Sequence, residues 1–240
     1  TLVPSKLDPM MQARPTVSII IPNWNGLIHL KGCLDSISAQ TYKPLETIIV
    51  DNGSTDGSFE YVRRYYSQVH ILGLSRNHGF AYAVNRGIEA ARGDFVALLN
   101  NDTELDVRWL EEMASALNND STLGSVACKM LNFDRRAIID SVGDGISPFG
   151  SPYSRAIGKH DEGTYDKEEL VFGVCAGAAL YRKIVFDVVG YMDEDFVTYY
   201  EDVDFSFRMQ LAGFKCLYIP RAICYHKRGA TGGNETAFTV

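Results

Sequence analysis

Phe95-Val96-Ala97-Leu98-Leu99-Asn100-Asn101-Asp102-Thr103 runs from five apolar residues straight into two amides, a carboxylate and a hydroxyl. The apolar run reads as a buried strand, and the polar tetrapeptide marks where that strand reaches the surface. In an open α/β sheet the ligand crevice lies at the carboxyl ends of the strands. Oxygen-bearing side chains placed there can meet a hard cation or a sugar hydroxyl.

Working outward, short β-rich runs alternate with helical stripes, the pattern of an α/β domain with a mostly parallel central sheet and covering helices. Strands are expected over 17–21, 47–50, 69–72 and 125–128. Between them lie amphipathic helices with inner faces at Leu27, Leu30, Leu34 and Ile37, at Phe59, Val62 and Tyr66, at Phe80, Val84 and Ile88, and at Leu110, Met113 and Leu117. Asp56 or Ser58 is placed to cap the second of these. From about residue 132 to 170 the pattern breaks into Gly- and Pro-containing polar sequence. A loop of that length is uncommon unless it serves a site, so it reads as a hairpin-bearing excursion near an acceptor entrance. Beyond it come a strand over 175–181, a helix over 183–189 closed by Gly190, and a helix opened by Glu201-Asp202-Val203-Asp204 with Gly213 after its end. Two short strands, 215–219 and 222–225, deliver His226.

Composition sets outer limits. A chain of 240 residues that is 46% hydrophobic can bury one large core. A formal net charge of −7, with Arg63-Arg64 and Arg135-Arg136 as isolated pairs, argues against nucleic acid as partner. Cys33, Cys128, Cys175, Cys216 and Cys224 are scattered and odd in number, so they read as reduced core residues. No stretch is long and apolar enough to be a transmembrane segment. The expected organisation is a flexible leader or expression remnant over 1–15, one domain over 16–226 and a mobile tail over 227–240.

Four further segments carry a resemblance: 17–25 (Val-Ser-Ile-Ile-Ile-Pro-Asn-Trp-Asn), 48–57 (Ile-Ile-Val-Asp-Asn-Gly-Ser-Thr-Asp-Gly), Asn77-His78-Gly79-Phe80-Ala81, and the ordered set Asn100–Thr103, Gly177-Ala178, Glu201-Asp202-Val203-Asp204 and His226. Together they resemble glycosyltransferase family 2, with the rhamnosyltransferase-like branch nearest. The resemblance implies a GT-A fold with a Rossmann-like sheet, a UDP- or dTDP-linked nucleotide-sugar donor, Mg²⁺ or Mn²⁺, and inversion at the anomeric carbon. It also implies a saccharide or lipid-linked acceptor, a role in cell-surface polysaccharide synthesis, and a cytoplasmic setting with room for peripheral association at the inner membrane face.

By position in that resemblance, Pro22, Asn23, Trp24, Asn25, Asp51, Asn77, Asn100, Asn101 and Gly177 fall to the donor, Asp102 and His226 to the metal, and Asp202 with Glu201 to catalysis. Asp202 is the expected base. Each group also has a plainer reading. Trp24 can be core packing, Asp51 to Gly57 an Asx-rich turn, Asn77 a helix cap, and the acidic knot at 201–204 a first turn that complements the helix dipole. Asp204 does not share a face with Asp202 and is expected to pair with Arg208 at i+4. Many family members carry two aspartates where this chain has Asn100 and Asp102, which leaves Asp102 as the one carboxylate ligand of that motif. Two other functions fit parts of the pattern. One is a non-catalytic nucleotide- or saccharide-binding module; the other, a nucleotidyltransferase, is disfavoured by Asn23-Trp24-Asn25-Gly26, which holds no basic phosphate loop.

Overall fold

The computed structural model describes residues 14–228; most of the expected leader and of the expected tail lies outside them. Val17–Asn23 (β1) alternates so that Val17, Ile19 and Ile21 face one layer and Ile20 the other. Phe95–Leu99 (β4) does the same, with Phe95, Ala97 and Leu99 on the first face and Val96 and Leu98 on the second. Two-sided burial is why Phe95–Leu99 is continuously apolar and why Val17–Ile21 is apolar apart from Ser18.

Leu27–Ser38 (α1), Ser58–Tyr65 (α2) and Trp109–Asn119 (α4) cover the first face, which holds Leu34, Val62, Met113 and the fully buried Trp109. Phe80–Ala90 (α3), Ile184–Val189 (α5) and Glu201–Leu211 (α6) cover the second through Val84, Phe186 and Phe205. With Glu46–Asp51 (β2) and His70–Gly73 (β3), β1 and β4 form a parallel half ordered β3-β2-β1-β4. Strand order reverses between β1 and β4, and the crevice at such a switch point is the place for a ligand.

Ala178–Arg182 (β11) enters antiparallel between β4 and Leu123–Asn132 (β6). Lys215–His226 (β12) runs parallel to β6. The two short strands expected at 215–225 are thus one strand. A register shift between Ile219 and Ile223 absorbs Pro220, which has no N–H to give a ladder. Thr103–Leu105 (β5) pairs with the far end of β12 and sets Thr103 opposite His226. The excursion contains Ile139–Ser141 (β7), the hairpin Asp144–Ile146 (β8) with Pro152–Ser154 (β9), and the edge strand Glu169–Val171 (β10). Buried Lys129 on β6 anchors it through Asp161 at 2.9 Å and Asp166 at 2.6 Å. All five cysteines are free, as expected.

At the opposite end of the sheet from the crevice, Glu46 is buried and accepts from Ser18 Oγ at 2.7 Å and from Arg92 Nη2 at 2.8 Å. Burial alone would raise its pKa, but the Ser18 hydroxyl and Arg92 outweigh that and hold it below the usual glutamate range. A depressed carboxylate contributes stability above its unfolded pKa and loses it as pH falls through the folded value. Arg92→Ala should therefore cost about 1–3 kcal/mol at pH 7, with a smaller penalty near pH 3. Urea unfolding at both pH values checks this, and an equal penalty at the two would contradict it.

Candidate active site

The crevice floor is built from amides. Asn23, at the end of β1 and 1% exposed, donates to Asp51 Oδ1 at 3.1 Å and to Ser54 Oγ at 3.2 Å. Its carbonyl oxygen accepts from Asn101 Nδ2 at 2.7 Å. One side chain so ties the ends of β1 and β2 to the turn after β4. Gly26 is required beneath it, because a Cβ there would lie 2.0 Å from Asn101 Nδ2 and 2.6 Å from Asn23 Oδ1.

Asn52 extends the floor sideways, donating to Asn77 Oδ1 and to the Gly79 carbonyl, both at 2.9 Å. The first amides of α3 are not free to face a ligand. Phe80 N–H donates to the Val197 carbonyl at 2.7 Å and Ala81 N–H to the same oxygen at 3.3 Å. Nor is Asn77 the cap of that helix: Gly79 holds the cap position, and Asn77 Oδ1 accepts its N–H at 2.9 Å. Neither Asp56 nor Ser58 caps α2, since Gly57 holds that position, but Asp56 still accepts from Ser58 N–H at 3.0 Å and from Leu27 N–H of α1 at 2.9 Å. Trp24 is not core packing, being 40% exposed at the rim. Exposed Asn25 sits beside it with φ of 51° and accepts Thr55 N–H at 2.8 Å.

The donor candidates thus divide. Asn23, Asp51, Asn101 and Gly177 are buried and shape the floor, half-buried Pro22 and Asn100 border it, and Trp24, Asn25 and Asn77 stand at the rim. Gly177 works by close approach, since a Cβ would lie 3.1 Å from Asn100 Nδ2.

Two functional ends meet across a single peptide unit. Gly177 carbonyl accepts Asn100 N–H at 2.8 Å, and the preceding Ala176 N–H donates to Asp202 Oδ2 at 3.1 Å. Adjacent Cα atoms are about 3.8 Å apart, so the Asn100 turn and Asp202 border the same few ångströms of chain. On one side, His226 Nε2 faces Asp102 Oδ1 at 3.4 Å, and that oxygen is buried without a hydrogen-bond partner among the described residues. An orphaned carboxylate oxygen is costly unless something else meets it. Asp102 and His226 offer an oxygen and a nitrogen to one hard cation, so the donor set fits a divalent metal completed by ligand oxygens and water. Among the described residues there is no protein-only cluster of three such groups.

On the other side, Asp202 Oδ1 accepts Val203 N–H at 2.9 Å. Burial raises its pKa against the pull of these backbone donors. Glu201 turns inward, 5% exposed with Oε2 unpaired, and burial with the adjacent Asp202 charge pushes it up to about 7. Asp204 pairs with Arg208 Nη2 at 2.7 Å, as its position predicts. The motif sequence gave no sign of two further carboxylates. Asp140 on β7 lies 2.7 Å from His226 Nδ1. Asp144 on β8 is buried, and burial with the Asp202 charge raises it to about 7.

The model of Glycosyl transferase family 2 matches residues 18–190. The chain belongs to that family. A Sinorhizobium fredii protein is 30% identical over 94% of this chain, which spans 26% of it. The N-acetylglucosaminyl-diphospho-decaprenol L-rhamnosyltransferase of Mycobacterium tuberculosis is 28% identical over 85% of this chain and 74% of its own length. A crystal structure of GalNAc-T7 with UDP, GalNAc and Mn²⁺ superposes with a TM-score of 0.72 at 18% identity, covering 88% of this chain and 44% of that one. The fold is GT-A and the domain is that of a glycosyltransferase.

Glu201 ionises at higher pH when folded than when unfolded, so the native state holds more protons across the window from about 4.5 to about 7. Stability should fall as pH rises through that window. Glu201→Gln removes a buried charge and should raise stability at pH 8 by on the order of 2 kcal/mol, with little change at pH 4. Thermal melts of both proteins at the two pH values provide the check.

Proposed function

We propose that this domain is the catalytic unit of an inverting, metal-dependent glycosyltransferase that moves a sugar from a UDP- or dTDP-linked donor to a saccharide or lipid-linked acceptor. The observation that carries this is the junction at Ala176-Gly177: the Gly177 carbonyl meets the Asn100 turn that leads to Asp102, itself beside His226, and the Ala176 N–H meets Asp202. A metal-binding end and a basic end on one crevice match what a single displacement at the anomeric carbon requires.

Asp202 accepts the proton of the acceptor hydroxyl as its oxygen forms a bond to the anomeric carbon from the face opposite the leaving group. The bond from that carbon to the diphosphate oxygen breaks, leaving an inverted glycoside and a nucleoside diphosphate. The raised pKa of Asp202 suits it to hold that proton. Glu201 lies next to it, its own carboxyl pushed up to about 7 by burial and by the Asp202 charge. Asp102 and His226 would hold Mg²⁺ or Mn²⁺, which supplies positive charge against the departing diphosphate. Asn23, Asp51 and Asn101 fix the floor under the nucleoside, while Trp24 and Asn25 border it. The Mycobacterium relative acts on a lipid-linked acceptor, as its name states. Among the described residues no helix is long and apolar enough to cross a membrane. We infer that the domain works on the cytoplasmic side and meets its acceptor at the inner membrane face.

Asp202→Asn should abolish transfer and leave donor affinity within a few-fold; turnover retained by this variant would remove Asp202 from the role. Asp102→Ala should weaken Mn²⁺-dependent binding of the nucleotide by about tenfold or more. Calorimetry with and without Mn²⁺ reads this, and an unchanged affinity would count against the metal end.

A further inference from the structure

His226 is held at both ring nitrogens. Nε2 faces Asp102 Oδ1 at 3.4 Å, and Nδ1 lies 2.7 Å from Asp140 Oδ2. The second oxygen of Asp140 accepts from Arg228 Nη1 at 3.0 Å. Asp140 is 7% exposed on β7, a strand of three residues that the excursion lays against β6. Taking a carboxylate out of water is costly unless partners compensate. The imidazole and the guanidinium are those partners, and both come from the end of β12 and the residues just after it.

A neutral imidazole places its proton on one nitrogen and its lone pair on the other, and the hydrogen bond made by one nitrogen decides the role of the other. With Asp140 accepting at Nδ1, the neutral ring keeps its proton there, and Nε2, on the Asp102 side, is the nitrogen left to a cation. A histidine that binds a cation through one nitrogen commonly donates to a carboxylate from the other, which fixes ring orientation and basicity. We propose that Asp140 is a positioning residue for the metal end of the site, selecting the His226 tautomer that leaves Nε2 free to bind a divalent cation beside Asp102. Arg228 clamps the far oxygen of Asp140, so the carboxylate cannot rotate away from the ring. The assignment rests on the metal-dependent function proposed above.

Titration of Mn²⁺, alone and with UDP, followed by the electron paramagnetic resonance of free Mn²⁺, tests it on the whole chain. Asp140→Ala should weaken Mn²⁺ binding 10- to 100-fold, and Asp140→Asn, whose side-chain oxygen still accepts from Nδ1, should recover most of that loss. Wild-type affinity in folded Asp140→Ala would overturn the positioning role while leaving the metal site standing. A wild-type protein that takes up no Mn²⁺ in either condition would overturn the metal reading and this assignment with it. Should Asp140→Ala not fold, ¹⁵N spectra of the His226 ring in the wild-type protein loaded with Mg²⁺ and UDP decide the matter. Protonated Nδ1 is expected, and protonated Nε2 would refute the proposal.

Discussion

The hydrogen-bonded amide of Asn23 is the constraint on which the crevice depends. Its two N–H groups go to Asp51 and Ser54 and its oxygen takes Asn101, so three chain ends that lie far apart in sequence are held by one buried side chain. Replacing it by an apolar residue would strand the buried partners on both sides, and a polar group left unmade in the interior costs about 1–3 kcal/mol. Gly26 belongs to the same constraint, since only a residue without Cβ lets the start of α1 pass this close to Asn101. The cleft is therefore rigid at its base, and the residues free to meet a ligand, Trp24 and Asn25 among them, project from that base.

The other half of the site is assembled by insertion. β11 enters antiparallel between β4 and β6, and the residues just before it, Ala176 and Gly177, hold Asp202 on one side and the Asn100 turn on the other. Just beyond, the loop before α6 is under backbone strain. Val197, Tyr199 and Tyr200 all have φ between 60° and 72°, a region that side chains with Cβ seldom adopt. Strain of this kind costs about 1–3 kcal/mol per residue. What offsets it is visible at Val197, whose carbonyl takes the first two amides of α3. The helix that carries Asp202 is so coupled to the helix beside the donor rim.

Much of this was legible in the sequence. β1 and β4 announce themselves by apolar runs, and Phe205 and Met209 mark the buried side of α6, because burial and periodicity are local properties. The ends of β12 were visible but its continuity was not: Pro220 looks like a break, and only the parallel partner β6 carries the strand through it. Asp140 and Asp144 were invisible for a different reason. They sit on strands of three residues within Gly-rich sequence, too short to show a period, and their partners His226 and Asp202 lie in distant segments. The amide at position 23 could be seen to end a strand, but whether it faces a ligand or a neighbouring side chain is decided by packing alone. Trp24 illustrates the same limit, since an aromatic after a strand is as consistent with the core as with the exposed rim it occupies.

The charge carried by the site bears on how a donor would arrive. Asp102 and Asp140 flank His226, and Asp202 raises the pKa of both Asp144 and Glu201, while His226 and Arg228 bring positive charge beside Asp140. Two like charges 4 Å apart repel by about 4 kcal/mol at the effective dielectric near a protein surface, so a diphosphate approaching Asp102 without a counter-ion is opposed. The ring of His226, flanked by two carboxylates, is raised to about 9 despite its burial, which means that this end of the site holds a proton when nothing else neutralises it. A divalent cation held by Asp102 and His226, as proposed, would relieve that repulsion and supply positive charge against a diphosphate. With an amide at position 100 instead of a second carboxylate, the protein's own hold on such an ion would be reduced and the nucleotide's share increased. On the proposed function, binding of donor and cation would be one coupled event, with the affinity for each depending on the presence of the other.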